Sequence, residues 1–256
     1  NAIRISNFKN VSGVAFNINN NEYTYENASD ESQYEGFILL QDYSPEGDTV
    51  QDFSGITINI TNLTSPSNAK QLFYVYDDQD GIIARNQPIV KGDDTISKFI
   101  VAKIDDNLYT SLKAAISAAS DGQTVTLLKN TTESVVIPAN RNVTFDLNGN
   151  KLTAPTDKKY DAIVNYGKLT INDSKKTGEI ISNKNNGIGI GANSNTTIVY
   201  ANITGQEGAI GGYNNTVDAT LTINDGIFNG IDNLISNLLS KHFRNLMLIF
   251  HICCKI

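Results

Sequence analysis

The residues that could do chemistry in this chain are the carboxylates of its second half. Between residues 121 and 230 these include Asp146, Asp161, Asp173, Glu179, Glu207, Asp218 and Asp225, with one arginine, Arg141, and no histidine. Two carboxylates facing one another across a sugar bond would hydrolyse it, one protonating the leaving oxygen and the other activating water. A base beside a neutralised uronate would instead support elimination, and Arg141 is the one arginine available. Asp173 and Asp225 end the same repeated word, Leu-Thr-Ile-Asn-Asp, so they share a position. Asn-Asp followed by Ser or Gly is also ordinary turn chemistry. A single surface arginine is commonplace. No catalytic residue is assigned on these grounds, and an enzyme is kept as the alternative.

Binding and metal chemistry give equally modest signals. Tyr160, Tyr166, Tyr200 and Tyr213 would form a sugar-stacking strip if the segments carrying them align, although tyrosines at such edges also simply cover a core. Asp77, Asp78 and Asp80 offer hard oxygen ligands for calcium. The run is short and lacks the closing glutamate of an EF-type loop, which favours a plain turn. Cys253 and Cys254 are adjacent, without the two-residue spacer of metal knuckles. No metal or cofactor is assigned. Asn-x-Ser/Thr triplets at Asn59, Asn62, Asn142 and Asn202 arise readily in so Asn- and Thr-rich a sequence and do not establish glycosylation.

Composition narrows the classes. With 40% hydrophobic and 18% charged residues the chain can build real cores. Its net charge of −7 repels a nucleic-acid backbone. No apolar run reaches the roughly 20 residues that span a bilayer, so no membrane insertion is expected. The start at Asn1, without Met or a basic signal peptide, reads as a processed product or a piece of a larger protein.

The last stretch differs in kind. Both cysteines, both histidines and Met247 lie from His242 onward, and the last acidic residue is Asp232. Lys241, Arg244 and Lys255 follow it, so residues 1–232 carry −7 − (+3) = −10. Three readings compete for residues 231–256: a foreign or frame-shifted tail, a capping helix built on Ile231, Leu234, Ile235, Leu238, Leu239 and Phe243, and a membrane anchor, for which Leu246–Ile252 is too short. On the first reading, deleting 233–256 leaves the fold intact.

Residues 1–104 read as an all-β, sandwich-like domain without helix-period segments. Ile56-Thr57-Ile58-Asn59-Ile60-Thr61 alternates most cleanly, and Leu72–Tyr76 leads through Asp80-Gly81 into Ile82-Ile83-Ala84 as a hairpin. Residues 105–122 form a linker with a helix over 109–120, capped by Thr110 or Ser111 and stopped by Gly122. From 123 to 230 come short strands only: Thr124–Leu128, Val135–Pro138, Val143–Leu147, Ala162–Val164, Leu169–Ile171, Glu179–Ser182, Gly187–Ile190, Thr197–Tyr200, Ala209–Gly211, Ala219–Ile223 and Ile227–Phe228.

An internal repeat arranges them. Leu169–Asp173 recurs word for word as Leu221–Asp225, 52 residues on. Discounting the insertion Ser174–Thr177 leaves two coils of 24, with Thr196-Thr197-Ile198 between them. A second series, Ala162-Ile163, Gly187-Ile188 and Ala209-Ile210, steps by 25 and 22. A helix-free repeat of this length fits a right-handed parallel β-helix, in which coils are stable only when stacked and the helix would cover the open first coil. Asn at the bends tolerates left-handed geometry and can stack in ladders.

Val101–Ile104 with Tyr109–Ile116, Asp121–Leu128 and Val143–Leu152 together resemble the opening of pectin-lyase-like β-helix repeat regions of Gram-positive and gut bacterial surface proteins. The resemblance covers about 101–230. It implies the fold, but not one function, because such regions serve lyases, hydrolases, phage tailspikes and adhesin stalks alike. Between residues 121 and 230 the Asn-Thr-Asp, Asp-Asp and Gly-His-Gly signatures of the galacturonase branch are missing. The expectation is therefore an extracellular, cell-surface adhesin or stalk module presenting a surface to glycan or host ligands. The alternatives are a β-helix polysaccharide lyase or hydrolase, and a phage fibre module. The oligomeric state is left open.

Overall fold

The computed structural model describes residues 3–6, 13–22, 36–41, 52–65, 69, 71–76, 85–212, 218–231, 233–236 and 248–250. The chain divides into two compact units, 1–118 and 119–256. Both are built mainly of short strands in parallel sheets, so the all-β expectation holds.

In the first unit β1 (Ile3–Ser6), β2 (Val14–Asn19), β3 (Gly36–Gln41), β4 (Ile56–Thr61), β5 (Gln71–Tyr76) and β6 (Ile89–Gly92) alternate between two sheets. β1, β3 and β5 pair in parallel through Ile3, Ile38 and Phe73. β2, β4 and β6 do the same, with Val14 beside Ile56 and Thr57 beside Ile89. The sandwich reading supposed hairpin pairing; every ladder among these six strands is parallel. Alternating apolar residues look alike in either pairing, because both bury one face. The hairpin through Asp77–Gly81 and the acidic turn lie outside the described residues.

Ile56, Ile58 and Ile60 are fully buried, as their alternation requires, in a core shared with Ile38, Leu40, Phe53, Leu72 and Val90. Their outward neighbours form a polar ladder. Asn59 donates to Asn17 at 2.9 Å, Thr61 to Asn19 at 2.8 Å and Asn62 to Asn20 at 3.0 Å. Asn20 and Asn62 both adopt left-handed backbone, at φ 55° and 53°. The unit also holds a 3-10 helix, Asp94–Phe99, that the strand-only reading did not include. It is too short to show a period and is started by the Asp93 side chain, which accepts from the Thr95 amide at 3.0 Å.

β7 (Ala102–Ile104) and β8 (Asn107–Tyr109) form an antiparallel hairpin, and β8 also pairs antiparallel with β6. The helix spans Leu112–Ala118, shorter than expected because Asn107–Tyr109 is strand. Of the two candidate caps Ser111 acts, its hydroxyl accepting from the Ala114 amide at 3.4 Å.

In the second unit the chain visits three sheets in rotation. β9 (Thr124–Leu127), β10 (Thr131–Thr132) and β11 (Val135–Ile137) make the first circuit. β12 (Asn142–Asp146), β13 (Lys151–Thr153) and β14 (Ile163–Asn165) make the second, and β15 (Lys168–Asn172), β16 (Glu179–Ser182) and β17 (Ile188–Ile190) the third. β18 (Asn195–Ile198), β19 (Ala201–Gly205) and β20 (Gly208–Gly212) follow, then β21 (Thr220–Ile223), β22 (Gly226–Gly230), β23 (Asn233–Ser236) and β24 (Leu248–Phe250). Each strand pairs in parallel with its counterpart one circuit away.

The register matches the repeat read from the sequence. Leu169 lies beside Thr196, which lies beside Leu221, so the two copies of the repeated word stand on one sheet two circuits apart. Ile163, Ile188 and Ile210 likewise align on another. Their side chains point inward and are buried. Ser174–Thr177 is indeed an insertion, a turn between β15 and β16. Three strands of the second sheet, β10, β13 and β19, were not foreseen. In the tail, β23 and β24 extend the third and first sheets, so the helical spacing read from Ile231 onward is interrupted by strand at Asn233–Ser236.

Candidate functional site

The corner leading from the first sheet to the second, in the second unit, holds Asp146, Asp173 and Asp225. In the second circuit it is the turn Leu147–Asn150, with Asn148 and Gly149 in left-handed backbone at φ 50° and 80°. The Asn148 and Asn150 amides each donate to the Leu127 carbonyl of the circuit before, at 3.1 Å. In the third circuit the corner is enlarged by the insertion, and Asp173 organises it. This carboxylate is 1% exposed. One oxygen accepts from the Gly149 amide at 2.7 Å and the Lys175 amide at 3.3 Å, the other from the Gly178 amide at 2.6 Å. Asp146 does related work, accepting from the Asn148 and Ser174 amides at 2.9 Å each. Both carboxylates thus complete the turns of two successive circuits.

Asp225 behaves differently although it ends the same repeated word. Without the insertion there is no loop for it to fill, and its side chain is 54% exposed. It lies 3.7 Å from Lys176, whose own backbone is left-handed at φ 57°. The Lys176 ammonium also sits 4.7 Å from the centre of the Tyr200 ring. Lys176, Tyr200 and Asp225 therefore tie three successive circuits together on the surface.

The other carboxylates are elsewhere. Asp161 is buried at the second-to-third-sheet corner, where it accepts from the backbone and side-chain amides of Asn186 at 2.9 and 3.2 Å. Glu207, on the same corner two circuits on, pairs with Lys159 at 3.0 Å. Glu179 lies on β16 and holds Lys151 and Thr204 at 3.2 and 3.0 Å. Asp218 and Arg141 lie at the third-to-first-sheet corner, where Arg141 donates to the Ala119 carbonyl at 3.1 Å. The carboxylates are divided among several corners and β16, and Asp146 and Asp173 are engaged with backbone amides.

Tyr160, Tyr166 and Tyr200 fall at three different corners, whereas a stacking strip needs them on one. Tyr166, 41% exposed, lies against Gly191 of the next circuit and covers it. Tyr213, the two histidines and the two cysteines lie outside the described residues. Asn59, Asn62 and Asn202 use their side-chain amides within the protein, the last on the Gly178 carbonyl at 3.2 Å. Among the described residues no group of three or more His, Cys, Asp or Glu converges as metal ligands, and no helix is long and apolar enough to cross a membrane.

The sequence reading missed one feature. On the outward face of the first sheet Thr124, Thr144, Thr170, Thr197 and Thr222 stand in register across five consecutive strands. Each immediately precedes an inward core residue: Val125, Phe145, Ile171, Ile198 and Ile223. That pairing was the available signal, invisible until the circuits were aligned. Thr124 is exposed and the other four half-buried, and none of the five hydroxyls bonds another described group. No family model, curated protein or solved structure matches the chain.

Proposed function

We propose that this chain is a non-catalytic module of a bacterial cell-surface protein, an adhesin or stalk that presents a surface to glycan or host ligands outside the cell. On this reading the second unit is a right-handed parallel β-helix of the pectin-lyase-like kind. Support comes from the fixed rotation through three parallel sheets and from the right-handedness general to parallel crossovers. The first unit, with its two alternating parallel sheets and its asparagine ladder, would be a related stacked module rather than a hairpin sandwich.

One observation carries the non-catalytic reading: Asp173, the carboxylate best placed by the repeat, is buried with both oxygens occupied by backbone amides. A general acid or base must reach a substrate proton, and a carboxylate so engaged does not. The test is capture of the full chain on immobilised host and microbial glycans and on extracellular-matrix proteins. Saturable binding to a member of that panel is expected. Failure of folded protein to bind any of them would overturn the reading.

A further inference from the structure

We infer that Asn229 is a site of spontaneous covalent modification, where the side chain closes a succinimide ring on the Gly230 nitrogen and water opens it to aspartate or isoaspartate. The chain contains three Asn-Gly pairs, Asn148-Gly149, Asn186-Gly187 and Asn229-Gly230. Glycine leaves the attacking backbone nitrogen least hindered, because it carries no Cβ. That nitrogen gives its proton to solvent and bonds to the asparagine Cγ, while the bond from Cγ to Nδ2 breaks and ammonia leaves. Water then cleaves the ring at either carbonyl. One water enters, one ammonia departs, and nothing is oxidised or reduced.

The fold restrains two of the three pairs at both reacting groups. The Gly149 amide donates to the buried Asp173 carboxylate at 2.7 Å, and the Asn148 side chain is held on the Leu127 carbonyl at 3.1 Å. The Gly187 amide donates to the Gly208 carbonyl at 3.0 Å. Asn186 is 7% exposed, with its side-chain amide on Asp161 at 3.2 Å.

Neither restraint acts on the third pair. The Asn229 side chain is exposed and bonds no other described group. Its strand, β22, ends the second sheet and has β19 on one side only among the described residues. Gly230 stands opposite Gly205, and it is the Ile231 amide that donates to the Gly205 carbonyl, at 3.1 Å. Alternate residues of a parallel ladder face the same neighbour, so the Gly230 amide points away from β19. An edge strand opens locally at low cost, which lets the backbone turn at Asn229 and bring nitrogen to Cγ. The product carries a new negative charge. Its isoaspartate form adds a methylene to the main chain, which shifts Ile231 out of register with Gly205 and loosens β22.

The experiment is timed incubation of the full chain in mildly alkaline buffer, with circular dichroism to confirm the fold. Peptide mass spectrometry follows the gain in mass at each pair, and a parallel sample is incubated in urea. In folded protein Asn229 should convert about tenfold or more faster than Asn148 or Asn186, whose hydrogen bonds must first open. In urea the three should convert at similar rates, and amide exchange at Ile231 should be faster in aged folded protein than in fresh. Conversion of Asn148 or Asn186 as fast as Asn229 in folded protein would refute the selection, as would the same preference for Asn229 in urea. No conversion of Asn229 while the unfolded chain converts would refute the site. Unchanged exchange at Ile231 in converted protein would refute the loosening of β22.

Discussion

Replacing Asp173 with Asn separates a structural carboxylate from a catalytic one. The substitution keeps the shape and removes the charge. The Asn oxygen can still accept from Gly149 and Lys175, but the amide nitrogen that replaces the second oxygen meets the Gly178 amide donor to donor, at a site where oxygen and nitrogen are 2.6 Å apart. Loss of a hydrogen bond to a buried charged group costs about 1.5–3 kcal/mol, and the Gly178 donor left unsatisfied adds about 1–3 kcal/mol. With the side chain 1% exposed, water cannot make good either loss. We expect about 3–5 kcal/mol of destabilisation. Urea unfolding followed by circular dichroism reads this as a midpoint about 1.5–2.5 M lower, taking a slope near 2 kcal/mol/M. Asp225→Asn is the internal control. It occupies the same place in the repeated word but is exposed and loosely paired, so it should change stability by no more than about 0.5 kcal/mol. Equal stability of the two variants would refute the argument, because a carboxylate held for chemistry tolerates an isosteric amide without unfolding.

Four further outcomes follow from the packing. Asn165, buried in an inward column, binds the Thr196 hydroxyl, the Asn195 carbonyl and the Gly167 amide; Asn165→Leu should cost about 2–3 kcal/mol, and adding Thr196→Val should recover part of it, as a double-mutant cycle will show. Gly226 has φ 141° and its missing Cβ would meet the Ala201 carbonyl, so Gly226→Ala should lower stability by about 1–3 kcal/mol in the same unfolding assay. Burial, and secondarily Asp105, raises the Tyr109 phenol above its ordinary pKa near 10; the unfolded chain then ionises first, so the stability Tyr109 contributes is intact below about pH 10 and falls as pH rises through the raised value, visible as late tyrosinate absorbance coupled to unfolding. Truncation after Ile231 should leave β20 and β21 as uncovered edge strands and promote aggregation, measured by light scattering, contrary to the foreign-tail expectation that the tail is dispensable.

What was legible in the sequence was the phase of the second unit. Its inward positions are few and chemically alike, so Ile163, Ile188 and Ile210, or the two copies of Leu-Thr-Ile-Asn-Asp, mark the same register wherever corner lengths vary little. The first unit obeys a similar logic but hides it. Ile3, Ile38 and Phe73 step by 35 on one sheet, while Val14 to Ile56 is 42 and Thr57 to Ile89 is 32 on the other, so loops of unequal length erase the period. Thr131–Thr132 and Lys151–Thr153 were missed because two or three residues with at most one apolar member carry no alternation. The difference between Asp173 and Asp225 was beyond sequence reasoning: in the enlarged corner Asp173 is buried among the Gly149, Lys175 and Gly178 amides, whereas Asp225, in the same word without the insertion, is half-exposed and accepts only from its neighbour Gly226 beside Lys176.

The account's central claim, that the corner carboxylates hold turns rather than perform chemistry, is tested most directly by product release. The full, folded chain should be incubated with calcium and a panel of uronates and host glycans, following reducing ends and unsaturated products. No turnover above a buffer blank is the predicted result. Clear turnover, abolished by a substitution at Asp146, Asp173, Asp225 or Arg141 that leaves the fold intact, would contradict it.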